Sequence, residues 1–351
     1  MTGSASVRTG TVCSLLAAIA FGLGMPFAKV LLPNSSPALL AGLLYLGGGF
    51  SLTVFRFLTR RGARQEAPLK WRDGPFLAAI VICGGVLAPV LMLEGLRRLP
   101  AVTSSLFLNL EAPFTILLAV AVFREHLGRR GAAAAVLIIG GGAFLGTSFG
   151  AVGIDIRGAL LLSAACAGWA IDNNLTQRLS LRDPVALTQL KTLAAGSFNL
   201  LLALGTGARL PMTSTIFPSL LLGAISYGLS IVLALYGMRY LGAAREAAWF
   251  ATAPFFGALA ASLFLHEAIR PSDAVAAAIM ALGMALLLRE HHGHLHVHEA
   301  LEHEHLHVHD EHHRHPHEGE VREPHSHLHR HIALVHDHPH GSDEHHRHTH
   351  R

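Results

Sequence analysis

Leu93 to Ala101 reads LEGLRRLPA, and Leu235 to Ala243 reads LYGMRYLGA. The two stretches lie 142 residues apart, and the likeness continues beyond them. Ala112-Pro113-Phe114 matches Ala253-Pro254-Phe255 at an offset of 141. Glu125 then matches Glu267, and Gly141 matches Gly283, at 142 again. A one-residue slip therefore falls inside the fourth or ninth apolar segment. Four matches in order over about 50 residues are a repeat signal.

Working outward, the chain up to about Glu290 is a series of apolar runs. Hydrophobic residues make up 51% of the sequence and charged residues 14%, against about a quarter charged in a soluble domain. A helix needs about 20 apolar residues to cross a bilayer core. Ten segments approach that length: 10–32, 37–58, 75–96, 101–123, 131–149, 157–178, 185–205, 216–238, 243–265 and 272–289. Most are rich in Gly and Ala, which lets helix backbones approach closely. The first follows Arg8 without a convincing cleavage site, so it reads as a retained membrane helix rather than a signal peptide.

The repeat offset divides the membrane region into a five-helix unit over 1–149 and a second over 150–290, with a tail over 291–351. Because each unit has an odd number of helices, the second enters from the opposite side, giving an inverted repeat. The predicted fold class is an all-α membrane protein: ten transmembrane helices as two inverted five-helix repeats, plus a disordered C-terminal tail. The loop from Arg56 to Asp73 carries Arg60, Arg61, Arg64, Lys70 and Arg72. The positive-inside rule puts it, and with ten spans both termini, in the cytoplasm of a bacterial inner membrane. Cys13, Cys83 and Cys166 each sit in an apolar run and read as small buried helix residues.

Leu106 to Leu127, LFLNLEAPFTILLAVAVFREHL, has a proline early in a helix and a glutamate at its far end; Ala253 to Ile269, APFFGALAASLFLHEAI, repeats it. This pattern resembles the EamA-type signature of the drug/metabolite transporter superfamily, over about residues 10–289. The resemblance implies secondary transport of a small organic solute, with export the expected direction. It leaves the substrate open among amino acids, nucleosides, sugar phosphates, drugs and other metabolites. The first helix departs from the pattern: it reads Phe21-Gly22-Leu23-Gly24 where many members carry a tryptophan before the glycine, whereas the sixth keeps Trp169 after Gly168.

Ionisable residues inside membrane spans are costly and face a cavity or a partner. The transport-cavity candidates are Glu94, Glu111, Asp172, Asn173, Lys191 and Trp169, with the pair Arg245-Glu246 also inside a span. Glu111 stands out because it lies two residues before Pro113; it can bind a cationic group, carry a proton, or serve a structural ion pair or interhelical hydrogen bond. Asp172-Asn173-Asn174 point in different directions around a helix, so either one lines a cavity or all three sit hydrated at the membrane edge. Tyr227, Tyr236 and Trp249 suit a solute site or simple packing. Pro113 and Pro254 read as hinge or packing devices, Lys29 as a snorkelling side chain, and Glu125 and Glu267 as charges that neutralise loops or cap neighbouring helices.

Of 26 histidines, only His126 and His266 lie outside the tail. His294 to His317 aligns without a gap with His327 to His350, an offset of 33. The metal-ligand candidates are His294, His296, His298, His303, His305, His307, His312 and His313, and in the second copy His327, His329, His331, His336, His338, His340, His345 and His346. Imidazole suits Zn, Ni, Co and Cu. No cofactor is required. The expected partners are the bilayer, a small solute, transition-metal ions at the tail and a second copy of the chain; no aromatic-interleaved basic patch points to nucleic acid. Three functions follow from these features. The first is a solute transporter with a metal-responsive regulatory tail. The second is a divalent-metal efflux transporter whose tail collects Zn, Ni or Co, and the third is a membrane-anchored metal buffer or sensor. No nucleophile-base or catalytic-metal constellation within the spans indicates an enzyme.

Overall fold

The computed structural model describes residues 3–59, 68–123, 127–147, 155–179, 182–241, 243–288, 292–298, 301–307, 325–331 and 334–340. Up to residue 288 the described regular structure is entirely helical. The first half holds α1 (Gly3–Gly22), α2 (Gly24–Leu31), α3 (Pro37–Thr59), α4 (Gly74–Ile80), α5 (Ala88–Arg98), α6 (Ala101–Phe107), α7 (Glu111–Phe123) and α8 (Arg129–Thr147). The second holds α9 (Ile156–Arg178), α10 (Pro184–Gly205), α11 (Thr213–Gly223), α12 (Ser230–Leu241), α13 (Ala243–Phe250), α14 (Ala253–Leu265) and α15 (Pro271–Leu288).

Seven helical stretches among the described residues are long and apolar enough to cross a membrane: Val7–Asn34, Pro37–Thr59, Trp71–Arg98, Ala101–Val122, Arg129–Gly146, Pro184–Gly205 and Thr213–Met238. They account for seven of the ten segments expected from the sequence. α14 and the stretch Pro271–Leu287 are apolar but short. α9 has the length, but Asp172, Asn173, Asn174 and its terminal arginines make it too polar on average.

The most extensive helix pairings are α3 with α10, α8 with α15, α1 with α12 and α5 with α9. Each joins a helix before residue 150 to one after residue 155, so the two halves interleave. Glycine permits the closest approach. A Cβ on Gly42 of α3 would come within 2.8 Å of the Leu200 amide, and one on Gly196 of α10 within 2.8 Å of the Leu46 amide. The largest core cluster includes Leu93, Leu96, Leu106, Ile138, Leu145 and Leu162, drawn from α5, α6, α8 and α9.

Several helices are irregular at mid-span. Val81–Leu87, between α4 and α5, is π-helical, and so is Ala224–Leu229, between α11 and α12. Leu108–Leu110 is a 3-10 turn separating α6 from α7, and Ala251–Thr252 separate α13 from α14. The two prolines do not kink continuous helices. Pro113 and Pro254 lie in the first turns of α7 and α14, where a missing N–H costs nothing. The chain breaks just before each of them.

Four short strands are described within the tail. His292–His298 pairs antiparallel with Leu334–His340, and Leu301–His307 with His325–His331. An alternating HxHxH sequence has the period of a strand, and pairing satisfies its backbone groups. His312, His313, His345 and His346 lie outside the described residues, as do Glu125, Arg60, Arg61 and Arg64.

Candidate functional site

α9 brings two of the candidates together. Its Asn173 amide donates to the Glu111 carboxylate at 2.7 Å. Glu111 is the first residue of α7, immediately after the 3-10 break. The Thr115 hydroxyl one turn on donates to the Glu111 carbonyl at 2.9 Å. Asn174 donates to the carbonyls of Thr115 and Ala170 at 3.1 and 2.8 Å, which fastens α9 to α7. Asn173 is exposed and Glu111 half-buried.

Asp172, one residue before Asn173, points elsewhere. It is 3% exposed and accepts a hydrogen bond from the Lys191 ammonium of α10, which is 20% exposed. The Thr176 hydroxyl donates to its other oxygen at 3.1 Å. The carboxylate lies against Gly84 in the first π-helical stretch, in the space a Cβ would fill. This is why a glycine is required there. The Gly84 carbonyl accepts from the Tyr45 hydroxyl at 2.9 Å and from the Trp169 indole at 3.1 Å. The next carbonyl, Gly85, accepts from Asn199 at 3.2 Å. A π-helical stretch displaces backbone carbonyls from their regular partners, and such stretches occur frequently at functional sites. Tyr227, in the second π-helical stretch, packs on Tyr45 at 5.1 Å between ring centroids.

Five of the six cavity candidates, Glu111, Asp172, Asn173, Lys191 and Trp169, therefore meet on adjoining turns of α7, α9 and α10 around the first π-helical stretch. The polar set is two carboxylates and one ammonium, edged by tyrosine and tryptophan. It can hold a small solute with a cationic group against Glu111, while the Asp172–Lys191 pair offers charges of both signs beside it. Glu94 is not brought there. It pairs with Arg97 at 2.7 Å and Arg98 at 3.2 Å. Arg98 also reaches Asp155 at 2.7 Å, and its guanidinium holds the Asp155 carboxyl below the usual carboxylate range. Glu94 instead lines a separate, open cavity of about 550 Å³ with Ser36, Val90, Leu91 and Thr206.

Sequence reading missed Tyr45, Asn199 and the Gly84-Gly85 carbonyls. The only available signals were a lone tyrosine and a glycine pair inside apolar runs. Lys29, read as snorkelling, donates to the carbonyls of Leu96 and Leu99 at the end of α5. The Glu267 carboxylate accepts the amides of Ala101 and Val102 at 3.0 and 2.9 Å, capping α6. Tyr236 and Trp249 are each 37% exposed. Among the described residues, no group of three His, Cys, Asp or Glu side chains is placed to hold a metal ion.

Comparison with known proteins finds relatives described as transporters. A curated relative from Methanothermobacter thermautotrophicus, described as an uncharacterized transporter, is 30% identical over 296 residues, covering 79% of this chain and 85% of that one. A probable amino-acid metabolite efflux pump of Salmonella typhimurium is 31% identical over 172 residues, covering 49% of this chain and 54% of the pump. A crystal structure superposes with a TM-score of 0.58 at 19% identity, over 82% of this chain and 98% of the other, a likeness of fold alone. The model of the EamA-like transporter family matches residues 8–147 and again 156–289, the two halves whose helices interleave around the Glu111 cluster. This integral membrane protein belongs to the EamA-like transporter family.

Proposed function

We propose that the chain is a secondary transporter that exports a small organic solute by alternating access, with its solute site at Glu111, Asn173, Asp172, Lys191 and Trp169. The observation that carries this reading is the meeting of Glu111 with Asn173, 62 residues apart, beside the Asp172–Lys191 pair. Ionisable groups inside a membrane face a pathway or a partner, and broken helices supply binding sites in transporters built from repeats. The similarity to the Salmonella probable amino-acid metabolite efflux pump supports a solute of amino-acid character. A zwitterion would find an acceptor in Glu111 and a donor in Lys191.

Two inverted five-helix units are the architecture in this reading. Three observations support it: the family match in two halves, the cross-half helix pairings, and π-helical stretches whose starts lie 143 and ends 142 residues apart. Both termini are cytoplasmic, in a bacterial inner membrane. The histidine tail binds Zn, Ni, Co or Cu and regulates transport. His294, His296, His303 and His305 stand opposite His338, His336, His329 and His327 in the paired strands, which supports sites built from both copies of the duplication.

The test is reconstitution of the full chain, its 1–290 truncation and Glu111→Gln into liposomes. Flux of a panel of amino acids and related metabolites is measured beside flux of Zn, Ni and Co. We expect solute flux in the first two, and a loss of at least about tenfold in Glu111→Gln. Removing a charged hydrogen-bond acceptor is worth roughly 1.5–3 kcal/mol, and 1.4 kcal/mol is tenfold in binding. Metal flux that Glu111→Gln abolishes would instead establish metal efflux as the function. Metal binding without flux of either kind would favour the buffer or sensor.

A further inference from the structure

A second carboxylate lies inside the bundle, away from the Glu111 cluster. Glu246 is on α13, the half-helix that ends at the Ala251–Thr252 break, and is 6% exposed. α13 packs against α1 and α12. From α1 comes Ser14, which is fully buried. From α12 comes Gly237, where a Cβ would stand 3.2 Å from the Ser14 Cβ and 3.3 Å from the Glu246 Cγ. Glycine thus leaves room for both the acid and the hydroxyl beside α12, with no hydrogen bond between them. Neither the Ser14 Oγ nor the Glu246 Oε1 has a hydrogen-bond partner.

Packing does not demand an acid at this position. With the one-residue slip in the fourth or ninth segment, the first-half counterpart of Glu246 is Ser104 or Ser105, both neutral hydroxyls. Nor is there a described counter-charge. The charged or titratable side chains described on the neighbouring helices are Arg8 and Cys13 on α1 and Tyr236 and Tyr240 on α12, and no ion pair joins Arg8 to Glu246. The side chains of Arg239 and Arg245 lie outside the described residues. An ionised carboxylate in apolar surroundings is expensive unless it is paired. The three oxygens of one carboxylate and one hydroxyl are too few to replace the shell of a hydrated metal cation, since hard cations take six or more oxygen ligands. A proton removes the carboxylate's charge and gives it a donor, which a change of rotamer can turn to the neighbouring serine hydroxyl.

We propose that Glu246 and Ser14 form a proton-binding site, built from α1, α12 and α13 and separate from the solute site on α7, α9 and α10. The site is positioned to exchange its proton as the α13–α14 break moves, so that solute movement is coupled to a proton at a different carboxylate from the one that binds solute.

The test needs no knowledge of the solute. Infrared spectra of the purified full chain in lipid nanodiscs are recorded across a pH titration, with and without sodium chloride. We expect the carbonyl stretch of a protonated carboxyl in apolar surroundings to be present at neutral pH and lost on alkalinisation. It should be absent in Glu246→Gln, retained in Glu111→Gln, and shifted in frequency in Ser14→Ala, where the hydroxyl partner is gone. Folding of each variant is checked by its helical circular dichroism. If Glu246→Gln does not fold, Glu246→Asp replaces it, and a moved band supports the assignment. A wild-type spectrum without the band, a band unchanged in the Glu246 variant, or a signal that follows sodium rather than pH would each overturn the proposal.

Discussion

Asp172 and Lys191 illustrate what one buried pair demands. The carboxylate is 3% exposed, so removing its ammonium partner strands a charge in the bundle. Breaking such a pair costs about 3–5 kcal/mol, whereas replacing both partners by neutral groups is often tolerated. Lys191→Met should therefore lower the thermal unfolding midpoint in detergent strongly, and Asp172→Asn combined with Lys191→Met should recover much of the loss. A double variant no better than the single would show that the pair is not the stabilising unit. The exposed pair of Arg98 and Asp155 behaves differently. Folding lowers the Asp155 pKa because Arg98 donates to it. Its contribution is therefore present above the unfolded carboxylate pKa and disappears as pH falls through the folded value. Asp155→Asn should shift the midpoint slightly at neutral pH and progressively less as pH falls below the usual carboxylate range. An equal shift at neutral and acidic pH would refute this assignment.

At the scale of elements, the π-helical stretches and broken helices matter more than the regular turns. The stretch Val81–Leu87 presents the carbonyls of Gly84 and Gly85 to Tyr45, Trp169 and Asn199, and seats Asp172 against the bare Cα of Gly84. Gly84→Ala should displace the Asp172 carboxylate. Overpacking of this kind costs roughly 1–3 kcal/mol, and solute flux should fall with it. Gly140→Ala, where nothing lies within 4 Å of the new Cβ, is the matched control and should be neutral. Equal effects from the two substitutions would remove the steric argument. The helices themselves were legible in the sequence because an apolar run long enough to cross a bilayer satisfies its backbone internally. The ends of α9 and α10, Ile156–Arg178 and Pro184–Gly205, fall within a residue of the expected 157–178 and 185–205. The breaks were only half legible. Pro113 and Pro254 flagged the right turns, but the interruptions precede them at Leu108–Leu110 and Ala251–Thr252.

For the whole molecule, the division between membrane region and tail predicts independent behaviour. The 1–290 truncation should keep its helical content and melting temperature and lose zinc binding, measured by calorimetry. Zinc affinity of the full chain should weaken as pH drops through about 6.5, because a protonated imidazole is not a ligand. Zinc binding undiminished in 1–290 would place the metal site in the membrane bundle instead.

The sequence by itself determined the helical character, the apolar spans, the family pattern in both halves, the 33-residue duplication and most of the candidate residues, because each is a property of local composition and spacing. Only the tertiary structure decided which candidates meet. It joined Asn173 to Glu111 and Lys191 to Asp172, sent Glu94 to Arg97 and Arg98, set Glu267 on the amides of Ala101 and Val102, and buried Ser14 beside Glu246. Several of these contacts cross from one half of the chain to the other, where the interleaving of helices sets the distance and sequence separation carries no information about it.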